Sequence, residues 1–457
     1  SSDVCSSDLL KHFPESMRSI SSNLINAALG LHAAVSRTFR KTAANFHYEF
    51  NVRHLSNVFQ GLLTAKPDEF RDPGKFVMLW LHESERVYGD RLVSYDDLKK
   101  YKKEAQTHSK KRFGQFNLTK FFTEKGDPLM FCHDDEGVYD QVLSIDKLRL
   151  TMENSLKEYN EVNAAMNLVL FEDAVKHVAR IMRIILNPSG HALLVGVGGS
   201  GKQSLSRLAS FVCNYNVCQI VLTSTYTIND LKVDIGEMYK KAGVKDEGTT
   251  FLFTDSEIKD ERFLEMLNSM LMTGEIGGLF AKEEVLGMCA DLQDAFQQQR
   301  PNLQPTPDNL RQFFIDTVRD NLHIVLCMSP ANPKFAVRAQ RFPGLINAVT
   351  IDWFLAWPEE ALVAVSSTFL GDFQIECEAD VKQSLMVHMG KVHQMTVDTC
   401  EVYFNQVRRR VSQTPKSYLS FIENFKGRSI YLSPKYIKSS LKREFIPIKS
   451  LSMDFEQ

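Results

Sequence analysis

One stretch constrains this chain more than any other. His191-Ala-Leu-Leu-Val-Gly-Val-Gly-Gly-Ser-Gly-Lys-Gln-Ser204 runs from a short apolar strand through G-x-x-x-x-G-K into an amphipathic helix. Strand, glycine turn and helix in that order describe a phosphate-binding loop at the carboxyl end of a parallel strand. Gly196, Gly198, Gly199 and Gly201 let the backbone wrap an anion without Cβ clashes. The N–H groups of Val197, Ser200 and their neighbours face the phosphates, and Lys202 supplies a point charge to the β and γ oxygens. Ala192–Val195 provide the strand, and Leu205, Leu208, Ala209 and Val212 the helix face. One position departs from the pattern: Gln203 stands where a Ser or Thr hydroxyl would reach Mg²⁺, with Ser204 one residue late. Nucleotide binding follows from the loop; fast hydrolysis does not.

Other apolar runs at Gln219–Leu222, Thr250–Thr254, His323–Met328 and Ala348–Ile351 alternate with helical patterns, so the expected core is a five-stranded parallel sheet with helices on both faces. Phe251-Leu-Phe-Thr-Asp255 ends in an aspartate suited to Mg²⁺, with Gln203 or Ser204 as the companion ligand. The next position, where such ATPases place a water-activating glutamate, is Ser256; Glu257 follows one residue late. Two readings of Glu257 stand, a catalytic carboxylate swung in where the chain leaves the strand, or a structural one facing away. Ser329, at the end of Cys327-Met-Ser-Pro330, is either a γ-phosphate sensor or a plain strand terminator, and Arg338 and Arg341 are either a finger for a neighbouring site or surface arginines.

A chain of 457 residues holds two or three domains. Its 54 Lys and Arg against 56 Asp and Glu leave a formal charge of −2, so no global basic field points to nucleic acid or an anionic membrane. No apolar run reaches the roughly 20 residues needed to span a bilayer. Residues 1–9 repeat (SSDVC, SSDL) without period and are read as foreign or disordered. Residues 10–125 read as helical, with apolar stripes through Leu24, Ile25, Ala28, Leu29, Leu31 and His32 and through Leu55, Val58, Phe59 and Leu62. The lysines between Asp97 and Arg112 suit a solvated helix face or a docking surface for an acidic neighbour. Residues 359–426 return to helix, and the tail 427–457, broken by Gly427, Pro434 and Pro447, is expected to be irregular.

Taken together, Phe50-Asn-Val-Arg-His-Leu-Ser-Asn-Val-Phe-Gln-Gly61, Leu79-Trp-Leu-His-Glu-Ser-Glu-Arg-Val-Tyr88, the segment Tyr159–Asp173, the GVGGSGKQS loop and Ile351-Asp-Trp-Phe354 resemble the axonemal dynein heavy chains, rings of linked AAA+ modules. The resemblance covers roughly residues 10–426. It implies that 10–125 form the helical lid of the third module, that 126–358 form the large α/β nucleotide-binding domain of the fourth, an AAA+ P-loop NTPase core, and that 359–426 form its own lid. A stalk would begin within 427–457, which shows no heptads. It further implies that ATP or ADP with Mg²⁺ binds here in a mainly regulatory role with weak or no hydrolysis, and that Leu168 and Val169 contribute to the nucleotide pocket. Arg53, in F-N-x-R, matches the lid arginine that senses the third module's nucleotide; the fourth lid offers Lys416 at Thr414-Pro-Lys-Ser-Tyr418, and the trans-finger position falls at Asn347. The implied partners are neighbouring AAA+ modules, microtubules through a stalk outside this chain, and the parent's intermediate and light chains, with no nucleic acid and no membrane. The implied location is the axoneme of the cilium, within the cytoskeleton. A non-motor AAA+ remodelling ATPase is the alternative, and a fold that binds nothing is a third reading.

Overall fold

The structure, a computed structural model, describes residues 13–122, 129–134, 137–375, 377–409, 411 and 413–432. The segment 1–9 and the tail from 433 onward lie outside the described residues. The chain divides into two compact units, residues 1–197 with 201–355 and residues 198–200 with 356–457.

The first unit opens with helices Ser21–Thr38, Val52–Leu62, Pro73–Ser84 and Tyr95–Phe113. Their starts are written in the sequence. Asn51 accepts the Arg53 N–H while its own N–H returns to His54 Nδ1; Asp72 accepts from Gly74 and Lys75 ahead of Pro73; Ser94 accepts from Asp97. The buried stripe on the first of these helices is Leu24, Ala27, Ala28, Leu31 and Val35, whereas Leu29, placed on it from sequence, is 48% exposed. Helix Pro73–Ser84 passes directly into a π-helical turn, Glu85–Gly89, carrying several buried charges with it.

Beyond a small antiparallel hairpin, β1 (Phe131–His133) with β2 (Tyr139–Gln141), comes the parallel sheet. Its strands are β3 (Ala192–Val195), β4 (Asn216–Cys218), β5 (Thr249–Thr254), β6 (Leu322–Met328) and β7 (Thr350–Trp353), in the spatial order β4-β5-β6-β3-β7. The central strands are buried on both faces, and side-chain alternation sends Leu193, Val195, Phe251, Phe253, Ile324 and Leu326 into one core and Ala192, Leu194, Leu252, Val325 and Cys327 into the other. Helices Glu172–Ile185 and Lys202–Val212 cover the second face, and Ile228–Gly243, Glu261–Thr273 and Pro307–Asn321 contribute to the first. The second strand corrects the sequence reading: β4 lies at Asn216–Cys218, not Gln219–Leu222. Hydrophobicity was the misleading signal, because Val221 is 79% exposed and Gln219 is drawn into a polar network.

The helical part and the sheet part of this unit are joined by buried charge. Arg183 places its guanidinium on Glu83, which also accepts the Tyr139 hydroxyl at 2.7 Å. Asp90 pairs with Arg86 (2.8 Å) and Arg180 (3.3 Å), Arg180 continues to Asp352 (2.9 Å), and Asp352 meets His177 (2.6 Å). The Trp353 N–H donates to the Asp90 carbonyl at 2.7 Å, and His47 stacks on the Trp353 ring at 4.8 Å.

The second unit carries helices Glu359–Gly371, Ala379–Val407 and Pro415–Leu432. Tyr418, fully buried, donates its hydroxyl to the Leu362 carbonyl at 2.8 Å. The last helix runs through Gly427 to Leu432, where the sequence reading starts an irregular tail. A single glycine costs a helix only about 1 kcal/mol and does not end one. None of the described helices is long and apolar enough to cross a membrane.

Candidate functional site

The loop leaves the sheet at Val195, held by the Gly196 N–H on the Met328 carbonyl (3.1 Å) and the Phe354 N–H on the Val195 carbonyl (2.8 Å). Gly199 and Gly201 take φ of +81° and +87°, the left-handed region that side chains other than glycine's rarely adopt. Within the second unit, a Cβ on Gly199 would lie 2.7 Å from the Lys416 backbone nitrogen, so glycine is required there for space as well. Gly201 caps helix Lys202–Val212, aiming that helix's first N–H groups into the loop.

Lys202 is 9% exposed, and its ammonium donates to the Gly196 and Val197 carbonyls at 2.6 and 2.9 Å. Burial lowers its pKa, and the neighbouring Cys327 and the Asp255 carboxylate oppose that. Gln203 is exposed, Ser204 is half-buried and Ser200 is buried. Leu168 and Val169 are half-buried in the extended stretch after helix Ile145–Val162; Asn160 fixes its entry by exchanging two hydrogen bonds with Met166.

Asp255 stands at the end of β5, opposite the end of β6. Its Oδ2 accepts the Ser329 N–H, its Oδ1 accepts from Asn332 at 3.4 Å, and Arg338 Nη1 lies 3.7 Å from Oδ1. Burial raises the carboxyl pKa, opposed by Ser329, Arg338, Asn332 and Lys202 in that order. Ser329 therefore engages the site through its main chain. Arg338 is buried and salt-bridged to Glu261 at 2.9 Å, so it faces its own site; Arg341 is exposed.

Glu257 is 6% exposed and fully engaged. One oxygen accepts the Thr254 N–H at 2.6 Å, closing the turn after β5, and the other accepts the Gln219 amide at 2.6 Å; Gln219 in turn is held by Arg207. Burial raises its pKa, and Gln219 and Thr254 oppose that. Sequence reasoning missed Gln219, Arg207 and Asn332, which sit on no motif. The one signal was a glutamine directly after β4 and an asparagine four residues after β6, near the strand ends where α/β sites gather.

The donor chemistry fits Mg²⁺. Among the described residues no group of three His, Cys, Asp or Glu gathers as an all-protein cage, and Mg²⁺ is characteristically held by one or two carboxylates with phosphates and water. Asp255 is the carboxylate that would serve. Arg53 lies outside this site and donates to the Asn347 carbonyl at 3.1 Å.

The family described as P-loop containing dynein motor region D4 matches residues 166–427, and the family described as AAA+ lid domain matches residues 24–132. The chain is 47% identical over 424 residues to the dynein alpha chain of the flagellar outer arm of Chlamydomonas reinhardtii. It is 42% identical over 415 residues to the ciliary dynein beta chain of Tripneustes gratilla and 43% identical over 412 residues to dynein axonemal heavy chain 17 of Homo sapiens. These matches cover 92%, 90% and 89% of this chain, but only 9% of each relative's length.

Proposed function

Because the chain belongs to the axonemal dynein heavy chain family, we propose that it is the piece of a ciliary motor that spans the lid of the third AAA+ module, residues 10–125, the large domain of the fourth, 126–358, and the fourth lid, 359–426. Its site binds ATP or ADP with Mg²⁺ and tunes the ring, with weak or no hydrolysis; the parent couples ATP hydrolysis to microtubule sliding in the axoneme. The observation that carries this reading is the state of Glu257. With Ser256 at the catalytic position, Glu257 is the nearest following carboxylate in sequence, and both its oxygens are committed to Thr254 and Gln219. A base so engaged is not placed to take a proton from water.

The chain's own groups account for binding. Loop amides and Lys202 would take the phosphates, with Lys202 exchanging two carbonyl partners for phosphate oxygens, and Asp255 would take the metal. Mg²⁺, when bound, supplies neutralising charge to the β and γ oxygens. Leu168 and Val169 would pack on the base. Neighbouring modules, and through the parent's stalk the microtubule, are the partners on this reading, with intermediate and light chains on the rest of the parent.

Calorimetric titration of ATP and ADP into the chain and into Lys202→Ala tests the site. Micromolar binding lost in the variant supports it; equal heats in both remove it. Steady-state phosphate release then separates regulation from drive, and a wild-type turnover of about 1 s⁻¹ or faster, within the range of ordinary catalysts, would overturn the weak-hydrolysis reading.

A further inference from the structure

Asp255 has a cationic neighbour before any metal arrives. Arg338 projects from helix Lys334–Arg341, with Phe335 and Ala339 of that helix buried in the core. Its side chain is 8% exposed. Nε and Nη2 hold Glu261 Oε1 at 3.0 and 2.9 Å, and Nη1 stands 3.7 Å from Asp255 Oδ1. The other Asp255 oxygen takes the Ser329 N–H. A buried guanidinium has little water to replace its partners, so it leans between these two carboxylates. A divalent cation that coordinates Asp255 must share the carboxylate with this fixed positive charge and approach against its repulsion.

We infer that Arg338 is a positioning residue that sets the Mg²⁺ threshold of nucleotide loading, and that Glu261 opposes it by drawing the guanidinium away from Asp255. This role acts within the chain's own site and rests on the reading of that site as one for Mg-nucleotide. It makes two opposite predictions from neighbouring residues. Removing the arginine charge frees Asp255 and eases cation entry; neutralising Glu261 leaves Arg338 with Asp255 alone and hinders it.

The test is a Mg²⁺ titration of mant-ADP binding to the full 457-residue chain, reading the cation concentration at half-maximal fluorescence. Arg338→Met is expected to lower that midpoint about three- to tenfold, the size that follows from removing one partly screened charge beside a ligand oxygen. Glu261→Gln is expected to raise it by a similar factor, Arg338→Lys to stay near wild type, and Asp260→Asn, which removes a neighbouring charge paired with Arg262, to leave it unchanged. Affinity measured in EDTA should stay within about twofold throughout, because a residue that merely supports the fold would weaken binding with and without cation.

Unchanged midpoints, or Arg338→Met and Glu261→Gln moving the same way, overturn the inference. If Arg338→Met does not fold, Glu261→Gln against Asp260→Asn decides it alone. Failure of the underlying reading looks different: mant-ADP then fails to bind the wild type at any Mg²⁺, or binds Lys202→Ala equally well.

Discussion

Lys202 lends its ammonium to two carbonyls of its own loop, so a nucleotide competes with an internal arrangement rather than meeting a solvated cation. Charge-assisted hydrogen bonds contribute about 1.5–3 kcal/mol, and Lys202→Ala should weaken ADP binding about 10- to 100-fold in a mant-ADP titration. The two left-handed glycines should part company on substitution. At Gly201 an added Cβ meets only the Leu205 side chain at 3.6 Å, leaving the backbone strain of about 1–2 kcal/mol; at Gly199 the same Cβ also strikes the Lys416 main chain at 2.7 Å. Thermal melts should therefore rank Gly199→Ala below Gly201→Ala, with wild type highest. Glu257 shows where residue identity stops being informative. Its lateness after Asp255 was visible in the chain, but whether that carboxylate turned inward depended on Gln219, nearly forty positions earlier, and on the N–H of Thr254.

The elements of the helical part and the sheet meet through ion pairs that no periodicity reveals. Glu83 is fully buried, and Arg183 supplies its countercharge. Arg183→Met strands that carboxylate with the Tyr139 hydroxyl, and urea unfolding should show a loss of about 3–5 kcal/mol. Adding Glu83→Gln should recover part of the loss, because the charge left without its partner is gone, and a strictly additive cycle would refute the pairing. The helices themselves were legible: Asn51, Asp72 and Ser94 mark three starts by capping chemistry, and the apolar stripes mark their inner faces. The edge strand was not. β4 has one strand neighbour and only three residues, so little burial is imposed on its sequence, and the more apolar segment after it drew the reading outward.

For the molecule as a whole, acid should be destabilising before any carboxylate in the nucleotide site is considered. Burial holds His191 down to about 3 and His47 down to about 4, and His54 lies at about 3 for the same reason, all from an ordinary value of 6.5. A histidine depressed in the fold contributes stability that is complete above 6.5 and is lost as pH falls toward its folded value. Asp90 acts the other way. Burial raises it above 3.8 against the pull of Arg180 and Arg86, so its contribution is complete below 3.8 and is lost as pH rises through the raised value. Three histidines outweigh one aspartate across the shared window, with each group worth up to about 1.4 kcal/mol per pH unit. Urea midpoints should therefore be nearly level from about pH 8 to neutrality and fall below it, and a rise on acidification would contradict the burial of these rings.

The sequence alone determined the α/β core, the loop, its lysine and the strand-end aspartate, because each is a local pattern: glycines where φ is positive, apolar residues at strand and helix period, a charge at a set distance from a turn. It also carried the family, through stretches spread along most of the chain. Tertiary structure alone decided which charged groups confront one another. Arg338, read as a finger for a neighbour or a surface arginine, turns inward to Asp255 and Glu261; Gln219, read as the start of a strand, secures Glu257; and Asp90 finds Asp352's arginine across the sheet edge. Such encounters depend on distances between residues far apart in the chain, which packing sets and no short sequence window contains.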